Sequence, residues 1–362
     1  MNILIFIIVI VALILAHEFG HFIVAKWSGM RVDEFGLGYP PRAAVLGKIG
    51  ETEYTLNWLP FGGFVKIFGE DGGEKNPRAF SSRPRILQAL VLLAGITMNL
   101  LFAYVLITGA LVLGTPRALS PDEIKNARDL QLVVADVLPG TPAATAGLAA
   151  GDSIIGAKDS HGSWSAADSE SFSEFVNAGG GESVTLNTTR NGSTRTITAT
   201  PATGIVSSDP SRYAIGVEVA PVGVVPLSFG AAITEGASLT WGAIVLTAEG
   251  LWHFFYGIFT FTADLSQVSG PVGIASVVGN ASSEGFGNLL SIMALISINL
   301  ALINLIPVPA LDGGRLLFVI IESVTRRPIK ASIANSVNAV GFVFLVLLMV
   351  VITAHDIFKI VG

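Results

Sequence analysis

His17-Glu18-Phe19-Gly20-His21 sits inside an apolar run that begins at Ile3 and continues to about Ala25. Two histidines at i and i+4 fall on one face of a helix, about one turn apart. That spacing lets both imidazoles reach one tetrahedral zinc ion, with the Glu18 carboxylate free to turn toward a water at the metal. A merely interfacial cluster would leave three polar or ionisable side chains in an apolar segment without compensation, which is costly. The stretch therefore reads as half of a metal site on a membrane helix.

The rest of the composition agrees with a membrane setting. The chain has 362 residues, of which 51% are hydrophobic and 13% charged, with a mean hydropathy of +0.66. That charge content is about half of what soluble chains carry, so several bilayer spans plus a smaller water-soluble part are expected. A net charge of −6 and the lack of a basic tract argue against a nucleic-acid partner. With no cysteine, thiol ligands, thiol nucleophiles and disulfides are excluded. The five histidines are His17, His21, His161, His253 and His355. Residues 3–16 resemble a signal-peptide core, but no basic segment precedes them and no small-residue cleavage site follows, so the helix is read as retained.

Four membrane spans are expected, at about 3–25, 86–113, 288–306 and 337–353. They define an N-terminal membrane part over 1–113 and a C-terminal one over 286–362. The loop 26–85 reads as a small β-element at the membrane face, with a strand at 53–58 and another at 61–66 after the Pro60 turn signal. Asn99, an amide in the second span, is expected to make an interhelical hydrogen bond. Residues 115–220 are richer in Ser, Thr, Gly, Asp and Asn. Strands are predicted at 132–137, 152–157, 183–189 and 194–200, a hairpin turn at Arg190-Asn191-Gly192-Ser193, and a short helix at 171–177. The segment 226–262 is read as an amphipathic helix lying at the interface. Its Glu249 and His253 share a helical face but lack the further polar partners that a metal site needs.

A second informative stretch is Asn304-Leu305-Ile306-Pro307-Val308-Pro309-Ala310-Leu311-Asp312-Gly313-Gly314-Arg315. Two prolines and two glycines unwind the backbone at the end of a membrane helix, which is tolerated where protein or a water-filled cavity receives it. Asp312, displayed from that turn, can complete the zinc site as a third ligand and leave a fourth position for water. It can also cap the helix that begins at Gly313, and the two roles are compatible. The basic loops 26–85 and 315–330 both belong in the cytoplasm by the positive-inside rule. The first span then runs inward, the second outward and the third inward, so the histidines and Asp312 reach the same depth. The domain between the second and third spans is extracytoplasmic.

Together, His17-Glu18-Phe19-Gly20-His21 and Asn304-x-x-Pro307-x-Pro309-x-Leu311-Asp312-Gly313 resemble the site-2 protease family of intramembrane zinc metalloproteases. The bacterial branch that contains the regulator of sigma-E protease is the nearer likeness. Asn57-Trp58-Leu59-Pro60-Phe61-Gly62-Gly63-Phe64-Val65-Lys66 and Ser269-Gly270-Pro271-Val272-Gly273-Ile274-Ala275 also look like family signatures. The resemblance implies a multi-pass protein of the bacterial inner membrane with His17, His21 and Asp312 as zinc ligands and Glu18 as the base. It implies Asn304 near the scissile peptide, and Gly36, Gly38 and Tyr39 together with Gly62, Gly63 and Phe64 as elements that extend the substrate. Pro139-Gly140-Thr141-Pro142-Ala143 and Ala146-Gly147-Leu148-Ala149-Ala150-Gly151-Asp152 resemble a PDZ domain, placed at 125–205, with a peptide ligand as its partner. Two departures stand out: one such domain where that protease has two in tandem, and Gly38-Tyr39-Pro40 where its loop reads Gly-Phe-Gly.

The implied substrates are single-pass membrane proteins, such as anti-sigma factors or signal-peptide remnants, cleaved within or near the bilayer. Two other function classes predict different features. A silent scaffold presenting the PDZ-like domain has no need for both histidines, Glu18 and Asp312 at once. A transporter predicts polar groups spread over several helices or repeated halves, and the sequence has neither.

Overall fold

The structure is a computed structural model that describes residues 2–70, 76–190, 192–260, 262 and 269–361, without the side chains of residues 2, 39, 60, 61, 259 and 359–361. The chain forms two compact units. One combines Met1–Val112 with Ser228–Gly362, and the other is Leu113–Leu227.

In the first unit, α1 (Asn2–Trp27) is apolar on all faces up to His17 and free of proline, long enough to span a bilayer. It ends at Gly29, whose φ of +69° favours glycine. The amides of Gly29 and Met30 donate to the Lys26 and Ala25 carbonyls, which closes the last turn. α2 (Arg85–Leu113) begins directly after Pro84 and stops at Gly114, with φ +85°. α5 (Phe229–Thr260), α6 (Pro271–Glu284), α7 (Phe286–Leu305), α8 (Asp312–Thr325) and α9 (Ala331–Val361) follow the second unit in the chain. α2 and α7 run antiparallel: Gly109 opens toward Leu290 at one level, and Ser297 Oγ donates to the Asn99 carbonyl at 2.8 Å at another.

Among the described residues, five helices are long and apolar enough to cross a membrane: Ile3–Trp27, Arg85–Leu113, Phe229–Ile258, Phe286–Leu305 and Ala331–Phe358. The chain is a multi-pass membrane protein. The expectation of four spans differs by Phe229–Ile258, the segment read as interfacial. Its mean hydropathy of 1.3 is the lowest of the five, diluted by Glu235, Glu249 and His253. Glu249 and His253 are both exposed.

β1 (Val32–Ile49) and β2 (Thr52–Ile67) form a long, irregular hairpin between the first two spans, where the sequence reads as a small β-element. Its register folds back on itself. Phe35 faces Val65 on one side and Tyr54 on the other, and Gly36 faces Phe64 and Thr55. Among the described residues, the segment 63–67 is thereby left as an outer edge of this sheet, paired with β1 on one side only. Met30, Val32, Val65, Ile67, Val91 and Val319 share one buried cluster, which ties the hairpin to α2 and α8. Two ion pairs reinforce that end, Arg85 to Glu322 at 2.7 Å and Arg315 to Glu70 at 2.6 Å.

The second unit holds β3 (Pro116–Ala118), β4 (Arg128–Val137), β5 (Ser153–Lys158), β6 (Ser163–Trp164), β7 (Val184–Arg190), β8 (Ser193–Ala199) and β9 (Val217–Val224), with the helices α3 (Pro142–Thr145) and α4 (Ser169–Ala178). The sheet order is β3-β9-β4-β5-β7-β8, and β6 pairs with β5. Leu132, Val134, Trp164, Phe172, Val176 and Leu186 belong to its core. Asp168 caps α4 by accepting the Ser171 amide at 2.7 Å. Arg190 pairs with Ser193 across the expected hairpin turn, of which Asn191 lies outside the described residues. The unit is wider than 125–205, because β3 and β9 add a strand pair to the sheet. β9 reads Val-Glu-Val-Ala-Pro-Val-Gly-Val, and Pro221 and Gly223 hide its alternation from a sequence reading.

Candidate metal centre

The histidines of α1 meet the turn between α7 and α8. α7 stops at Leu305 because Ile306 precedes a proline and takes an extended conformation, φ −65° and ψ 137°. Ala310 follows in the left-handed region at φ +74°, and α8 begins with Asp312, capped by Leu311. Asp312 is therefore the first residue of the helix rather than its cap, a position where the helix dipole favours a carboxylate. Two glycines let the turn close on itself: a Cβ on Gly313 would lie 2.6 Å from the Leu305 carbonyl carbon, and one on Gly314 would lie 2.7 Å from that of Val308. The turn also rests on α9, where Asn338 Oδ1 accepts the Ala310 amide at 3.3 Å and Gly341 admits Pro309.

This arrangement brings three donor atoms together. Asp312 Oδ2 lies 3.1 Å from His17 Nε2 and 3.2 Å from His21 Nε2, and the two Nε2 atoms are 3.2 Å apart. His17, His21 and Asp312 are the one group among the described residues with the composition and spacing to hold a metal ion. The three side chains are largely buried, and Asp312 Oδ2 is a buried oxygen that no described residue gives a well-formed hydrogen bond. Helix α2 backs the pair. His21 Nδ1 donates to the Val91 carbonyl at 2.8 Å, and Asn99 Nδ2 lies 3.3 Å from His17 Nδ1. Gly95 leaves the room that the rings occupy, since a Cβ there would come within 2.7 Å of His17 Cε1 and 2.8 Å of His21 Cε1.

The chain matches peptidase family M50 over residues 5–348. It is 35% identical, over 96% of its length and 95% of the relative's, to "Putative zinc metalloprotease CPE1693" of Clostridium perfringens. It is 33% identical to "Putative zinc metalloprotease all3971" of Nostoc, over 95% of this chain and 93% of that one. "Zinc metalloprotease RasP" of Geobacillus kaustophilus is 28% identical over 99% and 98% of the two chains. The chain belongs to peptidase family M50. This is the site-2 protease family that the two motifs resemble, and a member of it is a metalloprotease.

The residues present fit the zinc that family M50 implies. Ligands at about 2.0–2.1 Å from a tetrahedral zinc are about 3.3 Å from one another, close to the three separations observed. The donor set of two imidazole nitrogens and one carboxylate oxygen suits that ion. His21 presents Nε2 to the centre with its other nitrogen spoken for by a backbone carbonyl, the usual outer support of a histidine ligand.

The other residues singled out from sequence fall at varied distances from this centre. Glu18 is half-buried and makes no side-chain hydrogen bond with a described residue, while a Cβ on Gly63 would sit 3.5 Å from its Cγ. The sheet edge thus passes beside Glu18. Phe64 lies over Gly36, where a Cβ would come within 2.6 Å of its ring. Gly38, at φ +80°, has its carbonyl held by Asn57 Nδ2 at 3.0 Å. Gly62 has φ +95°. The Tyr39 side chain lies outside the described residues. Asn304 is half-buried near the end of α7, without a side-chain hydrogen bond to a described residue. The sequence reading did not find Val91 and Gly95: a backbone carbonyl and a missing Cβ carry no side-chain signature.

Proposed function

We propose that this chain is an intramembrane zinc endopeptidase that hydrolyses peptide bonds within or near the transmembrane segment of membrane-anchored proteins. The observation that carries the reading is the convergence of His17 Nε2, His21 Nε2 and Asp312 Oδ2 at 3.1–3.2 Å from one another, beside Glu18. His17, His21 and Asp312 hold the zinc, which when bound supplies Lewis acidity toward the scissile carbonyl and makes water a nucleophile near neutral pH. Glu18, on the same helix and without a side-chain hydrogen bond to a described residue, takes the proton of the attacking water and returns it to the leaving amine. Asn304 donates to the substrate backbone.

A helical substrate hides its carbonyls in its own hydrogen bonds, so it must be unwound before it can react. The one-sided edge at 63–67, next to Glu18, supports strand addition as the means. Gly36, Gly38, Tyr39, Gly62, Gly63 and Phe64 are the residues assigned to extending the substrate. Val45, Leu46, Ile49 and Trp58 are all exposed on the same hairpin and would seat it against the lipid. The unit Leu113–Leu227 acts as an extracytoplasmic PDZ-like domain that binds a peptide or screens substrates. The protein works in the bacterial inner membrane on single-pass substrates such as anti-sigma factors or signal-peptide remnants, with four helices spanning and 226–262 at the interface.

The test pairs zinc content with a single substitution. Purified protein is expected to hold one zinc per chain and to cleave a single-pass substrate in reconstituted vesicles. Glu18→Gln is expected to keep the zinc and lose cleavage by about 100-fold or more. Equal cleavage by both proteins would leave a scaffold role as the better account.

A further inference from the structure

Asn99 is wholly buried in the middle of α2, and its Oδ1 is a buried oxygen with no hydrogen-bond partner among the described residues. Its Nδ2 lies 3.3 Å from His17 Nδ1. With that nitrogen as donor, His17 must carry its own proton on Nε2, the atom that faces Asp312 Oδ2 at 3.1 Å. A ring in that tautomer has no Nε2 lone pair to give to a metal at the centre. A half-turn of the amide about Cβ–Cγ exchanges its oxygen and nitrogen within the same space. The carbonyl then receives the Nδ1–H of His17, and the Nε2 lone pair turns to the centre.

We infer that Asn99 is a positioning residue of the metal centre: its side-chain carbonyl accepts the Nδ1 proton of His17 and fixes the tautomer in which Nε2 binds zinc. This rests on the reading of His17 as a zinc ligand. Three features on α2 support it. Val91, Gly95 and Asn99 follow at intervals of four, so they share one face and match the interval between His17 and His21 on α1. Val91 O already performs this service for His21, and Gly95 admits both rings. The Asn99 backbone is pinned in turn, because its carbonyl accepts Ser297 Oγ from α7 at 2.8 Å and both residues are fully buried. One residue thus braces a histidine of α1 and ties α2 to the helix that leads to Asp312.

The experiment measures zinc affinity by competition with a chelator in the purified, detergent-solubilised full chain. Asn99→Leu, of similar volume but without an acceptor, is expected to weaken zinc about 10- to 100-fold. Asn99→Asp keeps an acceptor toward Nδ1–H and is expected to stay within about threefold of the wild type. Ser297→Ala, which removes the tether and leaves the Asn99 side chain, is expected to do the same. Should Asn99→Leu fail to fold, Asn99→Ala is compared with Asn99→Asp instead. Wild-type affinity in Asn99→Leu, or equal losses in Asn99→Leu and Asn99→Asp, would overturn the inference. His17→Ala separates the two levels of the claim: undiminished zinc there would remove the ligand reading itself, whereas zinc lost there but kept in Asn99→Leu would remove the positioning role alone.

Discussion

His17 Nε2 on the first helix stands 3.1 Å from Asp312 Oδ2, at the start of a helix near the other end of the chain. Two groups this close are either hydrogen-bonded to each other or ligands of one cation, and metal content decides between them. Asp312→Ala is expected to lower zinc affinity more than about 100-fold while helix content stays unchanged by circular dichroism, because two imidazoles alone make a weak site. Chelation of the wild type is expected to abolish cleavage, and zinc to restore it.

Gly95 sets the space in which the two imidazoles meet. A methyl group there enters the rings, and overpacking of this kind costs about 1–3 kcal/mol in a well-packed core. Gly95→Ala is expected to lose zinc and cleavage together, although alanine favours helix over glycine. An alanine variant with full zinc content would show that the rings have room to move.

Gly63 concerns the substrate side. A Cβ there would lie 3.1 Å from the Gly36 carbonyl oxygen and 3.3 Å from Ile14 Cγ2, and the branches of a valine extend further toward Glu18. Gly63→Val is expected to reduce cleavage about 10- to 100-fold, since small misplacements near reacting groups have effects of this size. Zinc content should remain at the wild-type level. A parallel loss of zinc would move the defect from the sheet edge to the metal centre.

Asp152 provides a pH test outside the membrane. The guanidinium of Arg190, whose Nη2 donates to Asp152 Oδ2 at 2.6 Å, holds this buried carboxyl below the usual carboxylate range. A folded-state pKa below the unfolded one stabilises the fold above the unfolded value, about 3.9, and that contribution disappears as pH falls through the lower, folded value. The unit Leu113–Leu227 should therefore keep this contribution at neutral pH and lose it only below about pH 4. Asp152→Asn is expected to cost about 1–3 kcal/mol at pH 7, read as faster hydrogen exchange in β5 and β7 of the full chain. The difference from wild type should shrink as the pH is lowered below 4.

Much of the membrane unit was legible because its signals are local. A run of apolar residues specifies a span, a four-residue interval puts two imidazoles on one face, and Pro307 stops α7 within a residue. Asp312 was legible by its turn, since two prolines and two glycines around a carboxylate have few other uses at a helix end. The folded-back register of the β1–β2 hairpin was not, because Phe35 pairs on two sides and the residues at 38–41 and 60–63 carry turn chemistry rather than alternation. Asn99 was legible only as an amide in need of an interhelical partner. That the partner is His17 depends on how α1 and α2 meet.

The sequence by itself determined the donor types, the helix that carries two of them, the spacing that aims both at one point, and the turn that displays the third. These follow from helical period, proline and glycine stereochemistry, and the cost of polar groups among apolar ones. Only the tertiary structure decided that His17, His21 and Asp312 share one centre, that the edge at 63–67 runs beside Glu18, and that α2 supplies the carbonyl, the gap and the amide behind the two rings. Contacts of that kind arise from the packing of helices far apart in the chain, where a missing Cβ or a backbone oxygen does the work and no local pattern records it.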